Sequence, residues 1–182
     1  DEVVRCNDAP TKGLEEDVGA KTTIRAINGW LSRLFIDPEK VFTDPGYKHL
    51  LENFSNWENT SVSDLLECNA LFLKDDNPPH KDVVSVVGET HDVFGLTKDG
   101  FAEMAKLSNS SNPTTGFCAV VWASNTFDEV NCYGFDFYEK AEEGETKLHY
   151  YEEVHNFEGH KWHNFSEEKE VLSSLHNVTF KY

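Results

Sequence analysis

The sequence predicts an α/β fold, and three observations predict it. Residues 112–137, NPTTGFCAVVWASNTFDEVNCYGFDF, read as a turn, a helix and a strand in direct succession. Short β-branched or apolar runs recur along the chain, at 2–6, 21–25 and 70–73. Between them lie stretches with helical patterns, such as the one carrying Phe101, Met104, Ala105 and Leu107. Strands interleaved with helical patterns are the mark of an α/β core. At 182 residues the chain is expected to form one domain, 1–182, with a substantial core.

Residues 2–6, EVVRC, read as a short strand that ends in the turn Asn7-Asp8-Ala9-Pro10. A polar loop through Gly13 and Gly19 leads to residues 21–25, where paired threonines suit a second strand. Loops of this kind, at the ends of strands, are where α/β sheets bind ligands. Residues 30–35 are apolar and short, with Pro38 soon after, and 47–54 read as a brief helix. A helix begins at 63–66, and 70–73 are expected as a buried strand. Residues 75–79 are turn-like. The run VVSVV at 83–87 is expected as a further strand. Thr97 can cap the helix that carries Phe101 to Leu107, and a Ser/Asn-rich loop follows at 108–113.

The turn Asn112-Pro113 opens the central unit, and Thr114 or Thr115 can cap the helix on which Phe117, Val120 and Val121 recur. Gly116 near the helix start lets a ligand approach the backbone closely. The free N–H groups of a helix start favour an anion. Val130, Cys132, Tyr133 and Phe135 then read as a strand. The acidic stretch 139–145 reads most simply as a solvated loop. Ser166 is expected to cap a final helix through Val171, Leu172 and Leu175, and 178–182 close the chain as a strand.

Sixteen basic against thirty-three acidic side chains give a net charge of −17. That balance argues against nucleic acid and anionic membrane surfaces as partners. An anionic ligand must then be held by local groups, namely backbone N–H, helix ends and individual cations. No run approaches the length of a membrane span, and the start has no signal-peptide pattern. The four cysteines, Cys6, Cys68, Cys118 and Cys132, show no CxxC spacing, which speaks against a cysteine zinc site. Cys118 lies on the apolar helix face and reads as core. N-glycosylation sequons at Asn53, Asn59, Asn109, Asn164 and Asn177 lean toward a secretory-pathway lumen.

Most of the histidines lie in the last forty residues. The pairs His149/Glu152 and His160/His163 are each three apart, which on a helix would offer one face to a metal. The same histidines also suit acid–base chemistry. A neutral imidazole can take a proton from a hydroxyl, and a second one can face a phosphate leaving group. Residue chemistry alone leaves these readings open, together with that of packed or surface histidines. There is no GxSxG and no P-loop.

Four stretches match one family in order. Residues 2–25, EVVRCNDAPTKGLEEDVGAKTTIR, resemble the second half of the large sialylmotif of the animal-type sialyltransferases, and 112–135 resemble the small motif. HYYE, at 149–152, with His149 and Tyr150, is similar to the third motif. HNFSEE, at 163–168, is similar to the very small motif, a His followed five places later by Glu.

The resemblance implies a single Rossmann-like domain with a mostly parallel sheet flanked by helices, the sialyltransferase-type GT-A variant. It implies CMP-sialic acid as donor, a glycoprotein or glycolipid glycan as acceptor, inversion at the anomeric carbon, and neither a metal nor a cofactor. Carried over by motif, Asn7 would hydrogen-bond the donor nucleotide. Thr114, Thr115 and Gly116 would meet the CMP or the sialyl carboxylate. His149 would face the donor phosphate. His163 would be the general base, with Glu168 and Tyr150 supporting the motifs. Inversion requires separate groups for base and leaving-group stabilisation, which two histidines with different environments can supply. The family's setting implies the Golgi lumen and a type II membrane anchor outside this chain, so that the segment itself makes no membrane contact.

The pattern also departs from the family. The first half of the large motif is absent, so an N-terminally truncated domain lacking the first core strand is expected. Phe127 stands where the family carries a cysteine bonded to that missing half, so that disulfide is not expected. The runner-up is a catalytically inactive glycan- or nucleotide-binding fragment of the same fold.

Overall fold

A computed structural model describes residues 1–43, 62–137 and 162–181. Elements are numbered in chain order among these residues. The expected helix at 47–54 and the acidic stretch at 139–145 lie outside them.

The chain divides into two compact units, Asp1–Lys98 and Asp99–Tyr182. The first is built on a four-stranded sheet of β1 (Val4–Cys6), β2 (Ile24–Ile27), β3 (Ala70–Leu73) and β4 (Asp92–Gly95), in that spatial order. Every pairing is parallel, with Ile24 opposite both Val4 and Ala70, and Ala70 opposite Asp92. Parallel strands need helical crossovers. These are supplied by α1 (Glu15–Val18), α2 (Gly29–Ile36), α3 (Pro38–Thr43), α4 (Val62–Leu65) and α5 (His80–Val87). All residues of β2 and β3 are buried, as expected when both faces of a sheet are covered. Ile27, Leu31, Leu34, Leu71, Leu73 and Val83 are among the residues forming the core of this unit.

The second unit holds α6 (Lys98–Leu107), which begins at its edge, then α7 (Thr115–Ser124), β5 (Val130–Tyr133), α8 (Phe165–Ser173) and β6 (Val178–Lys181). Strands β5 and β6 pair in parallel, Val130 opposite Val178. The α/β class with parallel sheets and flanking helices is as expected from the sequence.

The expected strand at 83–87 is instead the second half of α5. Val83 and Val87, four apart, are buried, while Val84 and Val86 are exposed. One buried stripe at helical spacing outweighs the β-preference of valine, because that preference mostly reflects packing on a pleated surface. The strand of this region is β4, where Phe94 packs edge-on against Phe72 at 5.9 Å. The last helix is capped by Asn164 rather than Ser166. Asn164 Oδ1 accepts from Glu167 N, and Ser166 Oγ donates to the same oxygen. The apolar run at 30–35 is a helix, started by Asn28, whose Oδ1 accepts from Leu31 N at 2.9 Å.

Helix α7 is more than an amphipathic helix. Thr115, all residues from Phe117 to Val121, and Ala123 are buried. An all-round apolar helix belongs inside a core. Cys118 is fully buried within it, as its place on the apolar face predicts.

Candidate functional site

In the second unit, two loops are stitched together by a series of hydrogen bonds. The first is the Ser/Asn-rich turn that ends at Thr114. The second is the segment that leads into α8. Ser110 Oγ donates to the Trp162 carbonyl at 3.0 Å, and Asn164 Nδ2 donates to the Asn109 carbonyl at 3.5 Å. His163 Nδ1 lies 2.5 Å from the carbonyl oxygen of Asn112. Thr114 N donates to Glu168 Oε1 at 2.8 Å, and Thr114 Oγ1 donates to Glu168 Oε2 at 2.6 Å. The small-motif turn and the HNFSEE segment, some fifty residues apart in sequence, therefore form one construction.

The contact of His163 fixes its chemistry. A carbonyl oxygen can only accept, so Nδ1 carries the proton. In the neutral ring Nε2 then holds the lone pair, which is the arrangement of a general base oriented through its other nitrogen. The Phe165 ring lies 5.6 Å from the imidazole, centroid to centroid, on the other side of Asn164 in the chain. Asn164, by capping α8, fixes where the helix begins and so where His163 leaves it.

Thr114 is the N-cap of α7, and its Oγ1 accepts from Phe117 N at 3.0 Å. Its one hydroxyl proton goes to Glu168, and its backbone N–H goes there too. Both donors of Thr114 are thus directed to a buried carboxylate of the chain itself. The N–H groups of Thr115 and Gly116 donate to no acceptor among the described residues, and they stand at the positive end of α7. What approaches Gly116 closely is the ring of Phe135. A methyl group on Gly116 would meet its Cε1 at 3.0 Å. Phe135 belongs to an aromatic cluster with Phe137 and Phe180, at centroid distances of 5.4 to 6.2 Å.

Asn7 belongs to the first unit. It follows β1 with φ of 51°, a left-handed backbone that asparagine tolerates. Its N donates to the Ala26 carbonyl at 2.7 Å, and its Oδ1 accepts from Asn28 N at 3.3 Å. The carboxamide nitrogen of Asn7 has no acceptor among the described residues. Arg25, charged and buried in the middle of β2, donates through Nη1 to the carbonyls of Asn7 and Ala9 at 2.8 and 3.3 Å. Arg5 holds the next loop, donating to the carbonyls of Val18 and Gly19 and to Thr22 Oγ1. The turn at Asn7 lies at the carboxyl end of β1, where open α/β sheets bind ligands, whereas the loop held by Arg5 leads into the amino end of β2. Nothing in the local sequence marks Arg25 for this place, since a strand arginine is ordinarily a surface residue.

The structure thus brings Thr114, Thr115, Gly116, His163 and Glu168 together in one unit and places Asn7 at a strand end of the other. His149 and Tyr150 lie outside the described residues, as do Glu152 and His160 of the metal reading. Among the described residues no three His, Cys, Asp or Glu side chains are grouped to hold a metal ion. No helix among them is long and apolar enough to cross a membrane.

The model of glycosyltransferase family 29 (sialyltransferase) matches residues 1–180. The chain is 31% identical over 184 residues to a human CMP-N-acetylneuraminate-beta-1,4-galactoside alpha-2,3-sialyltransferase, covering 96% of this chain and 48% of that protein. It is 29% identical over 164 residues to a mouse CMP-N-acetylneuraminate-beta-galactosamide-alpha-2,3-sialyltransferase 4, covering 85% of this chain and 47% of that protein. The chain spans about half the length of these relatives. No solved structure matches it.

Proposed function

The chain belongs to glycosyltransferase family 29, the sialyltransferases, and on that premise we propose that it is the catalytic part of an enzyme that moves sialic acid from CMP-sialic acid to a glycan hydroxyl. The names of the relatives support a galactoside acceptor and an α-2,3 linkage. The Golgi lumen is the proposed setting, with the whole chain 1–182 acting as one catalytic domain.

The observation that carries the reading is the contact of His163 Nδ1 with the Asn112 carbonyl, beside the start of α7. His163 Nε2 takes the proton of the acceptor hydroxyl. The acceptor oxygen attacks the anomeric carbon from the face opposite the phosphate, so the configuration inverts and CMP leaves. His149 is assigned to the departing phosphate, with Tyr150 supporting its motif. The N–H groups of Thr115 and Gly116 at the positive end of α7 are offered to an anionic group of the donor, and the carboxamide of Asn7 to its nucleotide. Thr114 shapes that helix start through its bonds to Glu168. A base that acts on the acceptor and a separate group for the phosphate are what inversion needs, and neither step calls on a metal.

The test is transfer from CMP-sialic acid to galactose- and N-acetylgalactosamine-ended acceptors with a chelator present, on this chain and on the whole natural protein. Turnover that resists the chelator supports the proposal. CMP binding without turnover in both forms identifies the inactive binding protein instead. Loss of turnover with the chelator, restored by zinc, would revive the His/Glu metal reading.

A further inference from the structure

Three of the chain's N-glycosylation sequons fall within the described residues, and the structure treats them very differently. We propose that Asn109 carries an N-linked glycan in the folded protein and that Asn164 and Asn177 do not. The proposal rests on the luminal setting proposed above.

Asn177 of Asn177-Val178-Thr179 is tied down. Its Nδ2, the atom that would bear the sugar, donates to the carbonyls of Ser124 and Phe127, both at 2.9 Å. Those carbonyls end α7 and start the approach to β5. An N-linked sugar replaces one of the two amide protons, so one carbonyl would lose its donor. The bulk would also have to occupy the gap between the helix end and the strand. Asn164 of Asn164-Phe165-Ser166 is engaged as well. Its Oδ1 caps α8 and takes the hydroxyl of Ser166, the residue a transferase must read two places on, while Nδ2 points to Asn109 O. Phe165, the central residue, is buried.

Asn109 of Asn109-Ser110-Ser111 is the reverse case. It is exposed, directly after α6, with φ of 47°. Its backbone is fixed, N donating to Lys106 O and O accepting from Asn164, but its carboxamide has no partner among the described residues. Ser111, two places on, is also exposed, and its hydroxyl is equally without a partner there. The left-handed turn after a helix projects the side chain away from the helix it ends. A sugar here disturbs no hydrogen bond of the fold.

The reaction is an ordinary displacement. The Asn109 amide nitrogen attacks the anomeric carbon of an oligosaccharide carried on a polyprenyl diphosphate. The C–N bond forms, and the C–O bond to the diphosphate breaks. The nitrogen gives one proton to a base of the luminal transferase, and polyprenyl diphosphate leaves with the electron pair.

The experiment uses the whole natural protein made in a eukaryotic secretory host, with one extra sequon in a flexible C-terminal tag. Folded protein is treated with peptide N-glycosidase in ¹⁸O water, which converts each glycosylated Asn to labelled Asp, and is then mapped by mass spectrometry. The expected result is label at 109 and none at 164 or 177. Asn109→Gln and Ser111→Ala should each remove the mass of one glycan from intact protein. Label in the tag but not at 109 overturns the proposal, as does label at 177 in folded protein. Label at neither 109 nor the tag means that the chain does not meet the luminal machinery, and the luminal setting and the proposal fall together.

Discussion

Glu168 gives one carboxylate oxygen to the backbone N–H of Thr114 and the other to its hydroxyl, at 2.8 and 2.6 Å. The pair joins the N-terminus of α7 to the first turn of α8. The hydroxyl of Thr114 is also the acceptor for Phe117 N, so a chain of bonds runs from the helix backbone through Thr114 to a buried carboxylate. Bonds of this type are charge-assisted and short. His163 leaves α8 five residues before Glu168, and its acceptor Asn112 lies two residues before Thr114. The carboxylate therefore holds in register the two segments that orient the imidazole.

Glu168→Gln should test that arrangement without removing bulk. The amide can match only one of the two Thr114 donors, and its NH₂ meets the other head-on. A buried donor left without an acceptor costs about 1–3 kcal/mol. The expected outcome is a lower denaturant midpoint with unchanged slope, and a fall in kcat larger than the rise in donor KM. Thr114→Val removes the helix cap and the hydroxyl together and should cost about 1–2 kcal/mol. The double variant should lose less than the sum of the two single losses, since both share the Thr114–Glu168 contact.

His163→Ala should abolish transfer while leaving donor binding in place. In the proposed reaction the imidazole meets the acceptor, and the proposed contacts of the donor come from Asn7 and the start of α7. General-base catalysis contributes about 10²–10⁴-fold, so residual turnover should fall by that factor. CMP affinity measured by calorimetry should stay close to that of the natural chain. Unchanged turnover would remove His163 from the base role.

Much of this arrangement was legible before any coordinates. The α7 unit carries its own punctuation, Asn112-Pro113 and a threonine cap followed by apolar residues at helical spacing, so its start and its direction could be read. The partnership with His163 and Glu168 could not be read from local chemistry, because their contacts with Asn112 and Thr114 span fifty residues or more. The motif resemblance singled out those residues without giving their contacts. The strand mistaken at 83–87 shows the converse limit. Five residues of valine and serine satisfy a strand propensity, and only the packing of Val83 and Val87 into the core of the first unit makes them helical. The cap at Asn164 was hidden by Ser166, an equally good capping residue two places on. Arg25 was passed over because a strand arginine looks like a surface residue until both faces of the sheet are known to be covered.

Burial pushes the thiol of Cys132, on β5, up to about 11 from 9.0. The folded chain therefore holds this proton over a range where the unfolded chain releases it. By linkage, stability from this group is full below pH 9.0 and declines as pH rises from there toward about 11. Cys68 is raised in the same direction, chiefly by burial, and adds to the decline. Urea midpoints measured from pH 8 upward should fall for the natural chain. They should fall less steeply for Cys132→Ala, and less again when Cys68→Ala is added. A Cys132→Ala variant whose midpoint tracks the natural chain in parallel at all pH values would show that the thiol is not held neutral. Cys132 should also resist alkylation near neutral pH until the chain is unfolded, because the thiolate is the reactive form.

Gly29 opens α2 at the end of β2 and faces the turn after β3. Its N donates to Asp75 Oδ2 at 3.3 Å. A Cβ at this position would lie 1.9 Å from the Asn77 carbonyl oxygen and 2.5 Å from Asp75 Oδ1. The first obstacle is backbone, so no side-chain rotation can relieve it. Alanine favours a helix interior, and at an unobstructed site the change would be neutral or stabilising. Here the turn at 75–77 must move, and with it the Arg33 Nη2 bond to Asn77 Oδ1 and the Asn77 N bond to Asp75 Oδ1. Overpacking of this kind costs about 1–3 kcal/mol or more. Gly29→Ala should therefore lower the denaturant midpoint, whereas Gly13→Ser, at a glycine with open space around it, should be limited to the strain of its φ of 82°. If Gly29→Ala proves as stable as the natural chain, the turn at 75–77 is not packed against α2.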